Sequence, residues 1–337
     1  MLAIQLRSPF NLDLTDVPLR ILGPEELLIK VGASGVCGTD FHIFSGEARS
    51  KYPVIPGHEF SGTVIDTGAA VENIKQGDKV AVDPNITCGK CYYCRRGEVN
   101  FCENLTALGV DLDGGFADCC IVPVSQAYLL PDDVSLDYAA FAEPLSCCIR
   151  GIDRAQIKQG ETTTVIGGGT IGLLMVQLCK AAGSSNVILI EPVKEKQNLG
   201  FRLGADLTFS PFDENLLEKI SDLTHGGSDT VVECAGSIDS VKNAFALIKR
   251  GGKVILFGLA PKNSRAEIDL QAAFYKEISI KTSFLNPFTF HRAVNLITSK
   301  RINVSFLSSK FKNLSDIKKM FYSDRDDKII KCQFINQ

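Results

Sequence analysis

Four cysteines are spaced Cys88-x2-Cys91-x2-Cys94-x7-Cys102. Two-residue spacers in a tight loop let four sulfurs converge about 2.3 Å from one centre, the all-thiolate tetrahedron of structural zinc. The intervening residues suit that loop. Gly89 permits unusual backbone angles, and Lys90, Arg95 and Arg96 offset thiolate charge. The competing reading is a disulfide cluster, but nothing in the sequence marks the chain as secreted. A zinc with four thiolates has no open position, so it is expected to hold a lobe, about residues 84–104, while the chemistry lies elsewhere.

A second, scattered set of ligand types precedes the lobe: Cys37 to His42 within GVCGTDFH, then His58 and Glu59 within GHEF, and much later Glu143 within AEPL. One Cys, one His and one or two carboxylates make a three-ligand zinc site that keeps a position for water or substrate. Two of the chain's four histidines fall in these motifs.

The third feature is a glycine pattern. The β-rich run Thr162–Ile166 leads into Gly167-Gly168-Gly169-Thr170-Ile171-Gly172 and the apolar run Leu173–Cys179. A second apolar run, Val187–Ile190, ends at Glu191, 19 positions after Gly172. In a strand–turn–helix setting the glycines let backbone approach a pyrophosphate at a helix N-terminus, and a carboxylate at that distance accepts hydrogen bonds from ribose hydroxyls. The same carboxylate repels a 2′-phosphate, which favours NAD over NADP.

These sites need elements to position them. At 337 residues the expectation is two domains. Residues 1–140 alternate short β-branched runs, such as Leu27–Val31, Gly62–Asp66 and Lys79–Asp83, with Gly, Pro and Asp turns, including Lys75-Gln76-Gly77-Asp78. Residues 150–286 alternate strand and helix patterns, with strands expected at 163–166, 187–190, 206–209, 229–233, 253–257 and 278–282. After Asn286-Pro287 come two helices, the second near 314–322, and a last strand, Lys328–Cys332, which suggests that the chain returns to complete the first domain. The domains are therefore 1–149 with 287–337, and 150–286.

Composition is that of an ordinary globular enzyme, 45% hydrophobic and 22% charged. A net charge of −3 gives no case for nucleic acid or an anionic membrane, and no apolar run reaches the ~18 residues of a membrane span. Twelve cysteines without a signal peptide indicate a reducing cytoplasm. Cys119, Cys120, Cys147, Cys148, Cys179, Cys234 and Cys332 are expected to be buried thiols.

Taken in order, CGTDFH, GHEFSG, the four-cysteine lobe, GGFA, AEPLSC and VIGGGTIG resemble the zinc-dependent medium-chain dehydrogenases over essentially the whole length. Glu59 after His58, and Glu143-Pro144-Leu145, are similar to the polyol branch: sorbitol, xylitol, arabinitol and sugar-phosphate dehydrogenases. The resemblance implies a GroES-like β-domain plus a Rossmann domain, a doubly wound parallel sheet, with the active site in a cleft between them. It also implies two zinc ions per chain, NAD, a small-molecule alcohol substrate and a homodimer or homotetramer.

Residue by residue, Cys37 and His58 match the shared zinc ligands, and Glu59 or Glu143 the third, the two exchanging in turnover. Asp40 resembles the carboxylate that orients the His58 ring. Thr39 matches the hydroxyl that hydrogen-bonds the alcohol, and His42 the histidine that passes its proton on. Gly167, Gly169, Ile171 and Gly172 match the pyrophosphate loop. Glu191 matches the ribose carboxylate, and Lys196 the basic residue at the adenosine end. Gly236, Gly258, Leu259 and Phe284 match loops flanking nicotinamide. Leu285 and Ile43 stand where sorbitol dehydrogenases carry an arginine and a tyrosine, which implies a less polar pocket. The implied reaction is hydride transfer from a secondary alcohol to NAD. The alternatives are a threonine-type dehydrogenase, which shares CGTD, GHE and the lobe, and an inactive nucleotide-binding protein, which would have lost a ligand.

Overall fold

A computed structural model describes residues 1–323 and 326–336. The chain forms two compact units, Met1–Ser146 with Pro287–Gln337, and Cys147–Asn286.

The first unit opens with an antiparallel pair, β1 (Leu2–Ser8) and β2 (Asn11–Asp16). Then follow β3 (Glu26–Gly35), α1 (Gly38–Ser45), β4 (Glu59–Thr67), β5 (Lys79–Val82), β6 (Asn85–Ile86), α2 (Tyr92–Arg95), β7 (Thr106–Ala107), β8 (Cys119–Pro123), β9 (Ala127–Leu129) and α3 (Leu136–Ala139). The β-branched runs of the sequence fall on β3, β4 and β5, with β5 ending one residue before Asp83. Alternation along β3 turns Leu27, Ile29 and Val31 inward, against Val64, Val80, Val82 and Val122. Each such side chain stabilises the unit by about 1.5–3 kcal/mol. The expected turn at 75–78 forms, with Asp78 Oδ2 accepting the Lys75 N–H at 2.9 Å.

The chain leaves this unit at Ser146, within α4 (Ala142–Ala155). The second unit runs β10 (Thr162–Ile166), α5 (Thr170–Ala181), β11 (Asn186–Ile190), α6 (Lys194–Arg202), β12 (Leu207–Phe209), α7 (Leu216–Thr224), β13 (Ser228–Glu233), α8 (Ile238–Leu247), β14 (Ile248–Leu256), α9 (Leu270–Lys276) and β15 (Ser279–Thr282). All six expected strands are present. They make one parallel sheet in the order β12-β11-β10-β13-β14-β15, the doubly wound arrangement. Every residue of β10 is buried, as a strand at the centre of such a sheet requires. The order reverses between β10 and β13, the switch point where α/β sheets bind ligands.

The chain then returns to the first unit with α10 (Phe290–Thr298), β16 (Ser308–Phe311), α11 (Leu314–Met320) and β17 (Lys331–Ile335). β17 pairs antiparallel with β3, Gln333 opposite Gly35, so the C-terminus does rejoin the first sheet. This strand starts three residues later than Lys328. Asp326 explains the delay: its side chain accepts the Lys328 N–H and its carbonyl the Ile329 N–H, a local turn that competes with the ladder. Of the seven thiols expected to be buried, Cys120, Cys148 and Cys179 are, whereas Cys119, Cys147, Cys234 and Cys332 are half-buried. Cys119, for example, points to the opposite face of β8 from buried Cys120. Among the described residues no helix is long and apolar enough to cross a membrane.

Candidate metal centres and dinucleotide site

Cys37 is the N-cap of α1, so the first helical turn carries Thr39 and Asp40 back beside it. Asp40 is wholly buried. Its Oδ2 accepts the Cys37 N–H at 2.7 Å, and its Oδ1 lies 3.2 Å from His58 Nδ1. His58 immediately precedes β4, and Glu59 is that strand's first residue. One ligand atom from each of Cys37, His58 and Glu59 lies within 4.8 Å of the others. His58 Nδ1, Asp40 Oδ1 and Glu59 Oε2 are all buried without an aligned hydrogen bond. With Nδ1 against Asp40, Nε2 is the nitrogen left for a metal. Sulfur, nitrogen and oxygen donors around an open position fit zinc.

Glu143, on the first turn of α4, is buried but stands outside that group of three. Burial pushes its carboxyl up to about 7; His58 pulls against the shift, and Glu59 and Asp83 add to it. Burial opposes a charge on His58 as well, but Asp40 and Cys37 outweigh it and raise the imidazole well above its ordinary value.

The residue that sequence reasoning missed is Lys331, which opens β17. Its ammonium forms an ion pair with Glu59 Oε2, and both side chains are almost fully buried. Burial disfavours the charged form, yet Glu59, Cys37 and Asp40 raise Lys331 above the usual lysine value. At most, a lysine at the start of a strand that goes on to Phe334 and Ile335 could have drawn attention to it. Glu47 was also unforeseen: its Oε2 lies 2.8 Å from His42 Nδ1. Thr39 Oγ1 is 3.8 Å from Cys37 Sγ. Ile43, expected to face a pocket, is fully buried in the cluster of Ile4, Leu6 and Phe116, so it contributes packing and not a pocket wall.

In the lobe, β6 pairs with β7 and closes the base of the loop. Between them the sulfurs of Cys88, Cys91, Cys94 and Cys102 lie within 4.8 Å of one another. The N–H groups of Lys90 and Cys91 lower the Cys88 thiol to about 6. Burial and the neighbouring thiols push Cys94 up to about 12. One thiolate therefore forms readily and a further one resists, the charge problem that a dication resolves.

In the second unit Gly169 is the N-cap of α5. A Cβ on Gly172 would strike the Gly167 carbonyl oxygen, so the turn needs glycine there, and Gly167 itself sits at φ 100°. Ile171 follows in the first turn. Glu191, buried just after β11, accepts the Gly168 N–H on Oε2 and the Val193 N–H on Oε1. Lys196 lies half-buried on α6. Gly236 and Gly258 belong to two loops tied together by Glu233, whose Oε1 accepts the Ala235 and Gly236 N–H groups and whose carbonyl accepts those of Phe257 and Gly258. Sequence reasoning gave Glu233 no role. Leu259 and Phe284 are exposed apolar side chains on this unit.

Residues 23–132 match the family described as alcohol dehydrogenase GroES-like domain, and residues 170–299 that described as zinc-binding dehydrogenase. The chain is 32% identical to L-threonine 3-dehydrogenase of Pyrococcus furiosus, over 99% of its own length and 98% of the relative's. It is 34% identical to D-arabinitol dehydrogenase 1 of Uromyces fabae, over 90% and 87%. A dehydrogenase of Sinorhizobium meliloti 1021, described as zinc-binding and solved with NADP, superimposes with a TM-score of 0.97 at 38% identity, covering 99% of this chain and 98% of that one. With its thiolate–imidazole–carboxylate cluster in one unit and its glycine turn in the other, this chain belongs to the zinc-dependent medium-chain alcohol dehydrogenases and is an oxidoreductase.

Proposed function

We propose that this enzyme oxidises a secondary alcohol of a polyol or sugar alcohol, free or phosphorylated, with NAD as acceptor. Cys37, His58 and Glu143 would hold the catalytic zinc at rest, with Glu59 exchanging in turnover, and Cys88, Cys91, Cys94 and Cys102 would hold a second, structural zinc. A zinc ion at the first site supplies Lewis acidity that eases loss of the alcohol proton, and NAD supplies the hydride acceptor. Asp40 fixes the His58 ring, Thr39 Oγ1 takes the hydrogen bond of the substrate hydroxyl, and His42, steadied by Glu47, moves the proton onward.

The observation that carries the substrate class is the commitment of Lys331 to Glu59. A carboxylate next to the reacting hydroxyl, as in threonine, finds that cation already paired and meets Asp40, Glu59 and Glu143 close by; the reacting end of a polyol, phosphorylated at its far end or not, is neutral and needs no cation there. The whole-length identity to a threonine dehydrogenase supports the second reading, oxidation of the threonine hydroxyl. Following NADH absorbance across polyols, sugar-alcohol phosphates and threonine separates the two: threonine outrunning every polyol in kcat/KM would overturn the first.

Glu191 supports NAD over NADP. The twelve free cysteines support a reducing compartment, the cytoplasm. The edge strand β15, with exposed Ile280, and the exposed Leu270, Phe274 and Tyr275 of α9 support a homo-oligomer, dimer or tetramer.

A further inference from the structure

We infer that Glu233 is a positioning residue for the nicotinamide half of the dinucleotide: it fastens the loops after β13 and β14 into one preformed wall, while Glu191 serves the adenosine half. The inference rests on the dinucleotide reading of the second unit proposed above.

Strand register puts the two carboxylates on either side of the glycine turn. Ile166, the last residue of β10, lies opposite Ile190 of β11 on one side and opposite Glu233 of β13 on the other. Glu191, one residue past Ile190, holds the Gly168 and Val193 N–H groups. Glu233 does the like across the switch point. Its Oε1 accepts the Ala235 and Gly236 N–H groups at 2.7 and 2.8 Å. Its carbonyl accepts those of Phe257 and Gly258, both at 2.9 Å. One residue thus grips the backbone of two neighbouring loops.

The loops meet so closely that a side chain would part them. A Cβ on Gly236, which sits at φ 71°, would come within 2.6 Å of the Leu259 carbonyl oxygen. One on Gly258 would strike the Gly236 nitrogen and lie 2.7 Å from Glu233 Oε2. Backbone fixed in this way presents the exposed side chain of Leu259 as an apolar surface ready for a flat ring. Ordering a loose loop at the moment of binding would cost affinity instead.

A merely structural role accounts poorly for a carboxylate at this place. Glu233 is wholly buried, and among the described residues its Oε2 has no hydrogen-bond partner. Burying such an atom is unfavourable, whereas fastening two loops needs only the other oxygen and the carbonyl. The glycine turn is anchored from the opposite side, by the Gly167 N–H to the Ile190 carbonyl and the Gly168 N–H to Glu191. Loss of Glu233 should therefore spare the adenosine end.

Two ligands separate the halves: ADP carries only the adenosine end, and NADH adds the nicotinamide. Their dissociation constants are measured by calorimetry, and NADH fluorescence reports whether the dihydronicotinamide ring has left water. Glu233→Met, similar in length but without the acceptor, is expected to weaken NADH by about 10-fold or more and ADP by less than about 3-fold, with bound NADH fluorescing like the free coenzyme. Glu233→Gln, whose amide oxygen still accepts both N–H groups, is expected to bind the two ligands as the parent does. Gly258→Ala parts the same loops with Glu233 intact, so the same selective loss of NADH is expected without relying on a folded Glu233→Met. Equal losses of NADH and ADP, or undiminished NADH affinity, in Glu233→Met or Gly258→Ala overturns the inference, as does a Glu233→Gln protein that loses NADH as Glu233→Met does. A parent protein that binds neither ADP nor NADH overturns the dinucleotide reading itself, and this inference with it.

Discussion

The carboxylate of Glu191 accepts the Gly168 N–H at 2.5 Å and the Val193 N–H at 2.9 Å, one on each oxygen. The residue expected to read the ribose is thus also the clasp that ties the glycine turn after β10 to the loop after β11. Each oxygen keeps a lone pair for a ribose hydroxyl. An added 2′-phosphate would meet this fixed, buried charge. NAD is therefore expected to exceed NADP in kcat/KM by at least ~10-fold, or about 1.4 kcal/mol. Glu191→Ala should narrow the gap and weaken NAD as the clasp opens. Comparable kcat/KM for the two cofactors in the unmodified enzyme would sink the assignment, a sharp test because the Sinorhizobium relative was solved with NADP.

The lobe should matter for stability before it matters for chemistry. Cys91→Ser or Cys94→Ser leaves three sulfurs where tetrahedral zinc needs four. Metal content is expected to fall from two zinc ions per chain to one, with a lower thermal midpoint, while kcat of the surviving folded protein changes little. Metal analysis finding a single zinc in the intact protein would count against a two-zinc enzyme.

Glu143 gives a pH dependence with a definite sign. Its carboxyl titrates at about 7 in the fold against an ordinary value of 4.5. Between those values the folded chain holds a proton that the unfolded chain has lost, so stability falls as pH rises, by about 3 kcal/mol once both are ionised. Denaturant titration of metal-stripped protein should show this loss, and Glu143→Gln should flatten it. Metal binding must expel the same proton, so metal affinity should decline as pH falls below about 7. An unchanged pH slope in Glu143→Gln would remove the residue as its source.

Exchange of the two carboxylates predicts a shared phenotype. Glu59→Gln and Glu143→Gln should each retain zinc and lose about 10- to 100-fold in kcat. Cys37→Ser and His58→Ala should empty the site. Full activity in Glu143→Gln, with zinc retained, would take that carboxylate out of the mechanism.

The edge of the second unit's sheet gives an assembly test. Lysine commonly guards such edges, but Lys281 of β15 is turned to the Arg154 carbonyl and Gln156 Oε1, leaving Ile280 exposed. Ile280→Lys is expected to shift the protein toward monomer in sedimentation analysis. An unshifted oligomer would move the contact elsewhere.

Sequence alone determined the parts whose chemistry is local. Four cysteines within fifteen positions can be read as a metal lobe because a short loop has few ways to bring sulfurs together. The turn from Gly167 to Gly172 can be read because close backbone contact tolerates only glycine. The six parallel strands follow from alternating apolar runs, and even the return of the chain to the first sheet was visible, though Asp326 delays its last strand. Tertiary structure alone decided what joins distant segments. It placed Ile43 in the core, set Glu59 beside Cys37 and His58 with Glu143 further out, and laid Lys331 against Glu59, 272 positions earlier in the chain. No spacing rule reaches that far. The pair exists because β17 and β4 flank the same strand, and because Gly35 between them has no side chain.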